Sequence, residues 1–158
     1  MAMNMKGEVS LPASRDTVWQ KLNDPEVLKL CIPGCESLER TEEGGFAAVA
    51  KMKIGPVSAT FRGKVELADL DPPNGYRILG AGDGGIAGHA RGGAKVALTA
   101  ESEDQCLLSY EAEANIGGKI AQLGARMIDS VAKKMADQFF EKFAAQVGGE
   151  SGGQEAQA

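Results

Sequence analysis

GGKIAQLGARMIDSVAKKMADQFFEKF, residues 117–143, is the stretch that decides the fold. After Gly117 and Gly118, the apolar residues Ile120, Leu123, Met127, Ile128, Val131, Met135, Phe139 and Phe143 recur at spacings of three and four. Lys119, Arg126, Asp129, Lys133, Lys134 and Glu141 fall off that stripe. The pattern predicts one amphipathic helix of roughly 28 residues, which at 1.5 Å per residue is ~42 Å long. A helix of that length needs a broad apolar surface to lie along, and the rest of the chain must supply it.

Upstream the period is two. Phe46, Ala48, Ala50, Met52 and Ile54 share one face while Lys51 and Lys53 take the other, and Gly55-Pro56 makes a turn. Val57, Ala59, Phe61, Gly63, Val65 and Leu67 alternate with Ser58, Thr60, Arg62, Lys64 and Glu66, the pattern of a strand with one wet face. Strands also follow at Tyr76 to Leu79, at Ala90 to Thr99 and at Cys106 to Ala114, and one precedes at Met3 to Leu11. Two short helices come after that first strand, one capped by Ser14 and carrying Val18, Trp19 and Leu22. The other is capped by Asp24 with Pro25 in its first turn and stops at Pro33-Gly34. Consecutive hairpins of twisted strands curl around what packs on them. The expected fold is α+β: a curved antiparallel sheet of about six to seven strands gripping the long C-terminal helix. Residues 1–147 form this single domain, and 148–158, GGESGGQEAQA, are expected to be a disordered tail.

Composition excludes several functions. Seventeen basic against 22 acidic residues leave a net charge of −5, with the cations scattered, so no nucleic-acid partner is expected. Three cysteines make no disulfide framework, and no apolar run reaches the ~20 residues of a membrane span. A cytoplasmic protein without an integral membrane segment is the expectation, a peripheral place at the inner membrane face being the alternative.

The inner face holds the functional signal. Ala48, Ala50, Ala59, Gly63, Ala90, Gly92, Ala94, Ala112 and Ala114 stand where a filled core would place larger side chains. Either the helix lies unusually close to the sheet, or the missing volume is a cavity for an apolar ligand. The cavity is the preferred reading. Its lining would be Phe46, Ala50, Phe61, Ala90 and Tyr110 from the sheet with Leu123, Met127, Ile128 and Val131 from the helix.

Other motifs carry less. Gly80-Ala-Gly-Asp-Gly-Gly85 satisfies the dinucleotide pattern, but a strand rather than a helix follows it. Cys31 and Cys35 with a single histidine are too few ligands for zinc. His89 falls on a wet face with no nucleophile beside it. No catalytic residue, metal site or tightly bound cofactor is expected.

DPEVLKLCIPGCESLE (24–39), IGPVSATFRGKVEL (54–67) and the stretch 117–143 resemble the carbon monoxide dehydrogenase G-subunit family of the START and polyketide-cyclase superfamily, from Met3 to Val147. The resemblance implies a helix-grip fold and a non-catalytic accessory protein. It implies a hydrophobic small molecule such as a quinone or other lipid as ligand, and a molybdenum hydroxylase of the carbon monoxide dehydrogenase type as partner. Relatives with a membrane-binding C-terminal segment differ from GGESGGQEAQA, so soluble carriage is expected here. A cyclase or hydrolase acting in the same cavity, with Tyr110, Tyr76 or Arg91 as polar groups, is the enzymatic alternative. A ligand-free docking subunit is the third reading, and a homodimer is compatible with all of them.

Overall fold

The computed structural model describes residues 1–152, with side chains through Gly148. Strand β1 (Ala2–Leu11) leads to helices α1 (Arg15–Leu22) and α2 (Pro25–Cys31). Then come β2 (Cys35–Arg40), β3 (Phe46–Ile54), β4 (Val57–Asp71), β5 (Gly75–Asp83), β6 (His89–Ser102), β7 (Gln105–Gly117) and α3 (Ala125–Gly152). All strand pairs are antiparallel, in the order β1-β7-β6-β5-β4-β3-β2, so the sheet is a meander whose last strand returns to the first.

Local chemistry sets the boundaries. The Ser14 hydroxyl accepts the Thr17 N–H at 3.2 Å, and Asp24 accepts the Glu26 N–H at 3.0 Å, so each short helix starts on a side-chain cap. Gly34 ends the helical pair: its φ is +76°, and a Cβ there would stand 2.1 Å from the Lys51 carbonyl oxygen. Only glycine meets both demands.

The long helix begins later than the apolar spacing suggests. Lys119–Leu123 form a 3-10 turn between Gly118 (φ 82°) and Gly124 (φ 91°), and α3 starts at Ala125. Ile120 and Leu123 therefore lie before α3. A 3-10 turn places residues three apart on one side just as an α-helix does, so spacing alone does not separate the two. At the other end α3 passes Val147, the expected boundary, and continues to Gly152; the rest of the expected disordered tail lies outside the described residues.

The core is divided. One cluster joins Leu11, Val18, Leu22, Val27, Cys31, Tyr76, Val96, Leu98, Cys106 and Leu108 to Phe143 and Val147 near the end of α3. A smaller one joins Ile54, Ile116 and Ile120 to Ile128 near its start. Between Ile128 and Phe143 no residue of α3 is fully buried; Val131, Ala132, Met135, Ala136, Phe139 and Phe140 are half-buried.

Candidate functional site: an apolar cleft between sheet and helix

The inner face of the sheet mirrors that helix. Ala48, Ala50, Ala59, Gly63, Gly80, Gly82, Ala90, Gly92, Ala94, Ala112 and Ala114 are all half-buried. Of the strands, β1 receives the main backbone approach of α3; its other large approach is to α2. A Cβ built on Gly82 would meet one atom within 4 Å, the Arg62 carbonyl oxygen at 3.8 Å. On Gly80 it would meet Lys64 O at 3.5 Å and Val65 Cγ2 at 3.6 Å. These are all atoms of the neighbouring strand, and none belongs to α3. At Gly80 and Gly82 the missing side chains therefore do not serve a close helix contact, and the inner face stays half-exposed between the two cores as a candidate cleft.

The expected lining residues fall in several places. Phe61, Ala90, Leu123 and Val131 pack on the smaller cluster, of which Ile128 is a buried member. Tyr110 packs on the larger cluster and stacks on Phe140 with ring centroids 5.4 Å apart, joining β7 to α3 across Gly7. Met127 is 39% exposed, and its Sδ and Cε lie 3.5 Å from where a Gly55 Cβ would stand, closing the β3–β4 hairpin onto the start of α3. Ala50 is half-buried on the inner face, paired with Phe61. Phe46 stands apart: it is buried, with the Arg40 guanidinium 5.2 Å above its ring, and Arg40 also donates to the Asn23 carbonyl at the end of α1. Met135 and Phe139 also sit on the half-buried middle of the helix. Their place in the apolar stripe was the available signal.

The cleft carries little titratable chemistry. Tyr76 lies in the larger cluster edge-to-face with Trp19 at 5.1 Å, and desolvation pushes its phenol up to about 12. Burial likewise raises the thiols of Cys31, Cys35 and Cys106. Arg91 is exposed on the outer face with His89, Arg62 and Lys64, and these residues wall an open groove of about 1020 Å³ that Ala48, Gly63, Gly82 and Ala90 also line. Gly80 to Asp83 complete strand β5, and Asp83 accepts the Gly85 N–H at 2.8 Å in the turn that follows. Among the described residues no three His, Cys, Asp or Glu side chains gather as metal ligands, and no helix is long and apolar enough to cross a membrane.

A seven-stranded antiparallel sheet curved on a long C-terminal helix, with two short helices after the first strand, defines the helix-grip fold of START-like proteins. The chain belongs to the CoxG family, the G-subunit family of carbon monoxide dehydrogenase, whose model matches residues 7–148. A conserved protein from Geobacillus kaustophilus is 34% identical with a TM-score of 0.87, over 92% of this chain and 95% of that one. The Zhui aromatase/cyclase from Streptomyces sp. R1128 is similar in fold at 16% identity and TM-score 0.70, covering 98% of this chain and 99% of its own. A START superfamily protein from Mycobacterium smegmatis shares the fold at 14% identity and TM-score 0.67, covering 91% and 96%. A search of curated protein sequences found no match.

Proposed function

We propose that this chain is a non-catalytic carrier that holds a hydrophobic small molecule, a quinone or another lipid, in the cleft, in the service of a molybdenum hydroxylase of the carbon monoxide dehydrogenase type. The reading is carried by the lack of any α3 atom within 4 Å of a Cβ built on Gly80 or Gly82, together with a helix that buries its two ends and not its middle. Apolar surface left half-wet in both partners gains free energy when an apolar ligand covers it, at about 25 cal/mol per Å². Membership of the CoxG family supports the accessory role and the partner class. The cyclase reading has a fold neighbour in its favour, but it has lost two of its polar groups: Arg91 lies on the outer face and Tyr76 is enclosed in a core.

Mass spectrometry of small molecules extracted from the purified native protein tests the proposal, followed by titration with short-tailed quinones and fatty acids. Ala90→Leu and Met127→Trp should remove binding while leaving the melting midpoint nearly unchanged. A wild-type protein that yields no apolar molecule and binds none up to the solubility limit would leave the ligand-free docking role in its place.

A further inference from the structure

The two edges of the sheet are built differently. Edge β2 is 6 residues long, carries a register shift between Cys35 and Ser37, and packs against α2. Such short, bulged and covered edges resist pairing with other chains. Edge β1 is 10 residues long, has no proline, and runs in unbroken register with β7 from Ala2 to Leu11. Its hydrogen-bond phase is fixed at one end, where the Met1 amino group donates to Ile116 O at 3.0 Å and Ile116 N–H donates to Met1 O at 2.7 Å. Odd-numbered residues of β1 therefore turn their backbone groups to β7, while Ala2, Asn4, Lys6, Glu8 and Ser10 turn theirs outward. An open groove of about 540 Å³ follows this edge, bounded by residues 3–9 of β1, by Tyr110 of β7 and by Asp129, Ala132, Lys133, Asp137 and Phe140 of α3.

We propose that this edge takes the β1 strand of a second copy of the chain, antiparallel, with the two-fold axis between the two Gly7 residues. Charge complementarity selects that register. Lys6 then faces the partner's Glu8, and Glu8 faces the partner's Lys6, as hydrogen-bonded pairs on the outer face. Shifting the axis to Lys6 or to Glu8 sets like charges opposite each other, and axes farther out leave both charges facing neutral residues. Among the described residues Lys6 makes no ion pair, so it is available. On the inner face the same register sets Met5 against the partner's Val9 in the closely spaced, non-hydrogen-bonded kind of pair. Both residues are half-buried in the single copy. At the axis Gly7 brings no side chain, and the Tyr110 ring covers it from the inner side, its hydroxyl 2.7 Å from where a Cβ would stand.

Sedimentation velocity on the full chain over a range of concentrations tests this. The wild type should be a dimer. Lys6→Glu or Glu8→Lys alone should weaken dimerisation at least about tenfold, because each change replaces two cross-strand attractions with repulsions. The double variant Lys6→Glu/Glu8→Lys should restore it, a rescue that misfolding does not mimic. Lys6→Pro should abolish the dimer and spare the monomer, since that N–H is turned away from β7. A wild type that stays monomeric at every concentration overturns the proposal, and so does a dimer that the single charge reversals leave intact. Capture at β1 of an extended peptide from another protein by a monomer overturns it as well.

Discussion

Replacing Gly82 by leucine separates an open cleft from a filled interface by the sign of the stability change. The backbone at Gly82 does not have a positive φ, so an L-residue adopts it without strain. Its first side-chain atom would meet the Arg62 carbonyl at 3.8 Å, ordinary van der Waals contact, and no atom of α3. Removing a glycine from a strand then stabilises by about 0.5–1 kcal/mol through the unfolded chain, and partial cover of the new methyl groups adds to it. Overpacking a closed core would instead cost about 1–3 kcal/mol. For a domain of this size 1 kcal/mol moves the melting midpoint by about 2–4 °C, so the two outcomes lie well apart in a calorimetric scan. Urea unfolding with an unchanged m-value should show the variant equal to or more stable than wild type, while quinone or fatty-acid affinity falls. A ligand-free variant less stable by more than about 1 kcal/mol would refute the reasoning, because the space would then have been occupied by protein.

Gly92→Ala should behave oppositely and lose about 2 kcal/mol or more in the same urea assay, since its Cβ would fall 2.0 Å from the Glu113 carbonyl oxygen. Tyr76 adds a pH dependence. Its folded-state pKa of about 12 stands above the unfolded value near 10, so its contribution is complete below pH 10 and is lost as pH rises from there towards 12. The slope is about 1.4 kcal/mol per unit between those two values, and in alkaline denaturation it should be missing from the Tyr76→Phe variant and so remain in the difference between wild type and variant. Cys31 and Cys106 are fully buried and Cys35 is not, so a thiol reagent should label Cys35 alone in the native protein and all three after unfolding. Ser14→Ala should cost about 1 kcal/mol by removing the cap on α1, read from the denaturation midpoint.

Alternation made most of the sheet legible in the sequence. The run from Val57 to Leu67 commits each side chain to a face, and a shift of one residue would send Phe61 and Val65 into water. Caps and breakers did the same for α1 and α2, because Ser14, Asp24 and Pro25 act through local geometry that needs no tertiary context. Two features were less legible. Ile120 and Leu123 fit a 3-10 turn as well as an α-helix, and the choice falls to the positive φ of Gly118 and Gly124, which glycine permits but does not announce. In β5, Ile78 and Leu79 are adjacent apolar residues, so alternation does not set the phase; Leu79 is 41% exposed on the outer face, while Tyr76, Ile78, Gly80 and Gly82 take the inner one. As for the site, composition marked the shortage of volume on the inner face but did not say whether the helix or empty space answered it. That distinction is a distance, and it appears only when α3 is in place.

The division of the core also bears on how the chain opens. The two apolar clusters share strands β6 and β7 but lie at opposite ends of α3, so their cooperativity passes mainly through backbone hydrogen bonds. The smaller cluster buries less surface, and its end, from the β3–β4 hairpin through the turn at 119–123, should exchange its amide protons by a local opening that costs less than global unfolding. An apolar molecule spanning the cleft would touch both clusters and bind their fluctuations together. Occupancy would then register as slower exchange at residues that never contact the ligand, and the entry of cargo would be written into the folding cooperativity of its carrier.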